Sequence, residues 1–125
     1  MDENELSHVI ICAAIEVHRT LGPGLLESVY ESALSFELRN KGFKVLQQHE
    51  LPVVYKGVEL GGGFRIDLLV CDLVIVEIKA VERVLPVHEA QVLTYLKLTN
   101  KKLRLLLNFN STAISASVRR VVNNL

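Results

Sequence analysis

Apolar residues recur at helical spacing in the first third of the chain and at strand-like density after it. Asp2 to Asn4 supply helix-start residues. Leu6, Val9, Ile10, Ala13, Ala14, Val17 and Leu21 then fall on one helical stripe, which Gly22-Pro23-Gly24 breaks. A second helix is predicted from Leu25 or Leu26 to about Lys41, with Gly42 as C-cap. Its apolar positions are Leu26, Val29, Ala33 and Phe36, with Leu34 as a further candidate. Phe43 to Leu46 reads as a strand, followed by the polar Gln47, Gln48 and His49. Leu51 to Tyr55 and Val58 to Leu60 read as a hairpin around Lys56-Gly57, and Gly61-Gly62-Gly63 as a bend. Phe64 to Ala80 holds two strongly apolar strands.

Beyond these, a helix is predicted to begin near Pro86 and run to about Leu98, with Val87, Ala90, Leu93 and Leu96 or Leu98 on its apolar side. Leu103 to Phe109 reads as an apolar strand, and residues 113–125 suit either a short strand or an amphipathic end piece. The order helix, helix, three or four strands, helix, strand implies an α/β (α+β) fold with a mixed central sheet flanked by helices. The apolar runs of the central strands fit a sheet covered on both faces.

One of the most apolar stretches, FRIDLLVCDLVIVEIKA, holds Asp67, Glu77 and Lys79 among apolar residues of its strand-like runs. Charged groups are rarely buried unless paired or metal-bound. Glu77 and Lys79 are two apart on a strand and share a face, with Ile78 opposite. Whether Asp67 joins them depends on register. A two-residue turn at Cys71-Asp72 sets Asp67 opposite Val76, on the wrong side. A three-residue loop, Cys71-Asp72-Leu73, sets it opposite Glu77.

In that second register two carboxylates share a patch with one ammonium. Two carboxylates alone would repel, and one would take up a proton. A divalent cation with a preference for oxygen relieves the conflict; Mg²⁺ is typically held by one or two carboxylates with waters and substrate phosphates. Lys79 would then contact a phosphate or an attacking water. The plainer alternative is an ion pair of Lys79 with Glu77 or Asp67 and no chemistry.

At 125 residues the chain suits one domain, 1–125. Fourteen basic and fourteen acidic residues cancel, so a phosphate-binding surface would have to be a local patch. Cys12 and Cys71 form no CxxC motif and fit a reducing compartment. No signal peptide or membrane span is evident, which implies a cytoplasmic protein.

Glu27 and Tyr30 are three apart on the second helix, with Glu31 four from Glu27; Gln91 and Tyr95 are four apart on the third. Gly24-Leu25-Leu26-Glu27-Ser28-Val29-Tyr30 resembles the signature of the GxxExxY family. The resemblance extends through LGPGLLESVYESAL, FRIDLLV, VIVEIKAV, VHEAQVLTYLK and LLLNF, over roughly residues 5–123. That family is grouped with the PD-(D/E)XK nuclease-like superfamily, particularly its RecB-type branch. The resemblance implies a restriction-endonuclease-like core of helix, three antiparallel strands, helix and strand.

Carried over by position, Asp67 and Glu77 resemble the metal-binding acidic pair, and the backbone carbonyl of Ile78 a third ligand. Lys79 resembles the lysine that orients or activates the attacking water, and Glu27 the helix glutamate that adds to the acidic cluster. Gln91 and Tyr95 match a QxxxY motif that borders the site and the nucleic-acid backbone. His18 stands where some RecB-type members carry a metal-binding histidine, although a lone histidine on a helix is more often structural. No active-site position departs from the pattern.

The implied function is Mg²⁺- or Mn²⁺-dependent hydrolysis of nucleic-acid phosphodiesters, with DNA the first expectation. The alternative is a non-catalytic module of the same fold that binds nucleic acid or a protein partner. The small size makes a homodimer plausible.

Overall fold

The structure, a computed structural model, describes residues 1–82, 94 and 96–125. Helix α1 (Glu3–Leu21) starts at Asp2, whose carboxylate accepts the Glu5 amide at 2.8 Å. Glu3 and Glu5 in its first turn complement the helix dipole. It ends at Gly22, whose φ of 73° lets its N–H return to the His18 carbonyl at 2.8 Å. The expected stripe is buried from Leu6 to Val17, apart from the half-buried Val9; Leu21 is exposed.

Helix α2 (Glu27–Asn40) corrects the sequence reading of its inner face. Leu26, Val29 and Phe36 are exposed, Phe36 to 66%, and the buried residues are Tyr30, Leu34, Ser35 and Leu38. The helix carries apolar residues around much of its circumference, so spacing alone allows two faces. Tyr30 decides between them, because its ring stacks on Phe109 with centroids 4.5 Å apart.

The described strands form one five-stranded sheet in sequential order, β1 (Val45–Tyr55), β2 (Val58–Val70), β3 (Val74–Lys79), β4 (Leu103–Asn108) and β5 (Val118–Val122). All neighbours are antiparallel except β3 and β4, which run parallel. The segments expected as a strand over 43–46 and a hairpin arm over 51–55 are one continuous strand, β1. The expected bend at Gly61-Gly62-Gly63 does not end the strand, since the triplet lies within β2. It is a bulge instead: Pro52 pairs with Gly63 and Val53 with Leu60, so Gly61 and Gly62 oppose no β1 residue. Gly63 permits the close approach there, because a Cβ on it would collide with the Leu51 carbonyl. The ambiguous tail supplies β5, after a short 3-10 turn at Ile114–Ala116.

Both faces of the central strands are covered, as their apolar runs imply. One face, with Leu68, Val70, Val76, Ile78, Leu105 and Leu107, packs on α1 and α2. Leu69 and Ile75 project from the other face and pack with the fully buried Leu96. Parallel strands need a crossover, and the helical residues 94 and 96–99 belong to it. The predicted start of that helix near Pro86 lies outside the described residues.

Candidate active site at the β2–β3 fork

The loop between β2 and β3 has three residues. Val70 pairs with Val74, and Cys71 and Asp72 take left-handed backbone conformations, with φ of 52° and 58°. Of the two registers the sequence allows, this one brings Asp67 to Glu77. The ladder extends only to the pair Leu68 and Val76. Beyond it the strands fork, and the Asp67 side chain takes over, its Oδ2 accepting the Ile78 amide at 2.8 Å.

A change of phase accompanies the fork. Leu46 and Leu51 on β1 pack into the same cluster despite an odd separation, and so do Ile66 and Leu69 on β2. Strict alternation forbids that, so both strands flip between those positions, at Gln48 and Asp67. Gln48 adopts φ 48°, costly for a side chain with a Cβ. Its amide donates to Asp67 Oδ1 at 3.1 Å and to Glu31 Oε1 at 2.6 Å. Gln47 Nε2 donates to the other Glu31 oxygen at 3.3 Å. The sequence offers no sign of this role for Gln48, which stands in the polar run Gln47, Gln48 and His49.

Glu77 is 8% exposed. Burial, chiefly, and then the Asp67 carboxylate and a hydrogen bond with it push its pKa from 4.5 up to about 8. Arg104 and Lys79 pull the other way without prevailing. Arg104, on β4 and also buried, lies 3.5 Å from Glu77 Oε1, longer than a strong charge-assisted hydrogen bond. The ion pair anticipated for Lys79 is thus made by Arg104. It was visible in principle, as a charge inside the apolar run LRLLLNF, by the reasoning that singled out Asp67.

Lys79, half-buried at the end of β3, has no hydrogen-bond or ion-pair partner for its ammonium among the described residues. Asn108 stands opposite it on β4 and clamps the exit of β3: its side chain accepts from the Val81 amide at 3.1 Å and donates to the Val81 carbonyl at 2.8 Å. Glu27, in the first turn of α2, accepts the Ala80 amide at 3.0 Å, so the helix glutamate does reach the end of β3. Tyr30 anchors the turn before it. Its hydroxyl donates to the Gly22 carbonyl at 2.6 Å and accepts from the Leu25 amide at 3.1 Å. Gly24, with φ 96°, meets the left-handed requirement of that turn.

The structure therefore brings Asp67 beside Glu77, with the Ile78 amide bound to Asp67 and Lys79 two residues on, while Glu27 reaches the end of β3 at the Ala80 amide without joining the pair in one cluster. His18 is buried beside Phe109, their ring centroids 6.2 Å apart, and its Nε2 has no hydrogen-bond partner among the described residues. Gln91 and Tyr95 lie outside the described residues.

A family model of the PD-(D/E)XK nuclease superfamily matches residues 4–121. The chain belongs to that superfamily. Comparison with curated proteins and with solved structures gave no match. The mixed sheet with its helices agrees with the restriction-endonuclease-like fold of PD-(D/E)XK proteins. PD-(D/E)XK nucleases generally use divalent metals.

The residues present fit such an ion. The donors are all oxygen, which suits Mg²⁺ or Mn²⁺. Burial, chiefly, and the neighbouring Asp67 carboxylate hold the Glu77 pKa up even with Arg104 and Lys79 beside it. Among the described residues no three acidic, histidine or cysteine side chains form a closed cluster. A site of this kind therefore rests on one or two carboxylates and is completed by water and phosphate oxygens.

Proposed function

We propose that the protein is a divalent-cation-dependent nuclease, a single PD-(D/E)XK domain of the GxxExxY family and RecB-type branch that hydrolyses phosphodiester bonds in nucleic acid, DNA first. One observation carries this reading: a three-residue loop and a forked ladder set Asp67 beside Glu77, with Lys79 close enough to act on Glu77 yet in no hydrogen bond or close ion pair among the described residues. Asp67 and Glu77 would hold Mg²⁺ or Mn²⁺, with the Ile78 carbonyl as third ligand and Glu27 joining through the outer sphere or directly. The cation supplies Lewis acidity toward the phosphate and a lower pKa for water. Lys79 orients the attacking water or steadies the negative charge that develops on the phosphate. Gln91 and Tyr95 contact the strand being cut.

The test is cleavage of plasmid, single-stranded DNA and RNA with Mg²⁺ or Mn²⁺ by wild type, Lys79→Ala and Glu77→Ala. Loss of cleavage in both variants, with circular dichroism and melting cooperativity retained, is expected. Variants as active as wild type would remove the mechanism.

A second reading, a nuclease-like module that binds nucleic acid or a protein without cutting, has one observation on its side. Arg104 already places a cation 3.5 Å from Glu77. Under that reading no metal titrates into the Asp67–Glu77 pair, and calorimetry with Mn²⁺ shows no heat that depends on these residues.

A further inference from the structure

On the side of α2 facing β1 lies an open hollow of about 370 Å³, lined by Ser32, Ser35, Phe36, Arg39, Asn40 and Gln47. The helical members fall at i, i+3, i+4, i+7 and i+8, so they form one continuous face. Two features separate this hollow from an ordinary surface dent. Ser35 is 1% exposed, and its hydroxyl has no hydrogen-bond partner among the described residues. A buried hydroxyl without a partner is destabilising, and an acceptor seated in the hollow would satisfy it. Phe36 stands at the rim with 66% of its surface exposed, and no ring of the described residues stacks on it.

The electrostatics favour an anion. Arg39 is held in place by its own bonds, Nη2 donating to the Val45 carbonyl at 2.7 Å and Nη1 to Gln47 Oε1 at 3.4 Å. Those bonds use some of its five donors and leave others. Lys41 and Lys44 follow within the same turn of chain, both exposed. The opposing charge nearby is Glu37, half-buried on α2, and Glu31, whose two oxygens are engaged by Gln47 and Gln48.

The hollow is also continuous with the fork. Gln47 lines it and binds Glu31; Glu31 binds Gln48, and Gln48 binds Asp67. Along α2, Phe36 and Arg39 lie nine and twelve residues beyond Glu27. At 1.5 Å per residue that is roughly 13 and 18 Å. A stacked nucleic-acid strand advances about 3.4 Å per nucleotide, so the hollow sits about four to five nucleotides from the fork.

From this geometry we infer that the α2–β1 hollow binds single-stranded nucleic acid flanking the bond presented at the fork, with a base stacked on Phe36 and a phosphate held by Arg39, Ser32 and Asn40. An aromatic platform beside a cation and small polar donors is the arrangement that binds unpaired strands without reading sequence. Phe36 can stack only on a base that has left its duplex. The inference rests on the nuclease reading for its placement but names the substrate class that reading leaves open.

The test uses the full chain, a fluorescent oligothymidylate, and a duplex of equal length, with binding followed by anisotropy in EDTA at low salt. The variants are Phe36→Ala and Ser32→Glu, both at exposed positions, with Glu16→Gln on the exposed side of α1 as control. Wild type and Glu16→Gln should prefer the single strand. Phe36→Ala should weaken that binding about 5- to 150-fold, as loss of one stacked base implies, and Ser32→Glu should weaken it by adding a negative charge. Several outcomes overturn the inference: no binding by wild type, preference for the duplex, or unchanged affinity in Phe36→Ala. Conversion of a wild-type dimer to a monomer by Phe36→Ala, with affinity unchanged, would reassign the patch to a second copy of the chain. Loss of cleavage in Asp67→Ala with no effect of Phe36→Ala would sink the hollow and spare the nuclease. Phe36-dependent binding without cleavage under any divalent cation would do the reverse.

Discussion

Asp67 Oδ2 accepts the Ile78 amide at 2.8 Å at the point where the β2–β3 ladder stops. One carboxylate thus does the work of a missing strand bond and supplies half of the acidic pair. Replacement with alanine orphans a part-buried amide, which costs about 1–3 kcal/mol. Asparagine keeps an oxygen to accept that bond and removes the charge that helps to raise Glu77. Urea denaturation at pH 7.5 should therefore find Asp67→Ala clearly destabilised and Asp67→Asn close to wild type, while both lose any metal-dependent activity. Equal destabilisation by the two would mean that charge, not the hydrogen bond, is what the fold needs from Asp67.

Glu77 gives the protein an unusual pH dependence. Its carboxyl titrates near 4.5 when exposed and at about 8 when folded. Between those values the folded state holds the proton more tightly than the unfolded chain does. This contribution to stability is therefore complete below about pH 4.5 and is lost as pH rises through 8. In EDTA, the melting temperature should fall between pH 5 and pH 8.5 by more in wild type than in Glu77→Gln, which carries no titrating group. Saturating Mn²⁺ should flatten the wild-type profile if the cation binds the ionised pair. Parallel profiles for wild type and Glu77→Gln would show that Glu77 does not titrate in this range.

How legible these features were depended on whether a residue's neighbours in sequence were also its neighbours in space. Asp67, Glu77 and Lys79 stood out because apolar β-branched residues flank them, and the order of helices and strands followed from periodicity. The loop length that unites Asp67 with Glu77 was one of two allowed by the pattern, and long-range pairing chose it. The inner face of α2 was misread because Leu26, Val29 and Phe36 are spaced as well as Tyr30, Leu34 and Leu38; Phe109, far along the chain, decides between them. Gln48 was invisible for a related reason: its role depends on a left-handed backbone and on two carboxylates from other elements.

Tyr30 belongs to the GxxExxY signature, yet its bonds go to the turn and not to the acidic pair. Tyr30→Phe keeps the stack on Phe109 and removes both hydroxyl bonds, leaving the Gly22 carbonyl and Leu25 amide to find water. A loss of about 1–3 kcal/mol follows. Because that turn delivers Glu27 to the Ala80 amide, hydrogen exchange at Ala80 should also quicken. A stability loss with unchanged exchange at Ala80 would separate the turn from the placement of Glu27.

Gln48 combines backbone strain with a bridging side chain, and two substitutions separate the two. Glycine at this position loses the bridge but relaxes the left-handed φ of 48°; alanine loses the bridge and keeps most of the strain. Gln48→Gly should therefore be more stable than Gln48→Ala by about 1 kcal/mol. The bridge itself holds Asp67 and Glu31, which would repel once it is gone. Both variants should bind Mn²⁺ more weakly than wild type, to the same extent, in calorimetric titrations at pH 8. If metal affinity instead followed stability, with glycine retaining wild-type binding, Gln48 would matter only as a bend in β1, and the orientation of Asp67 would have to come from the Ile78 amide alone.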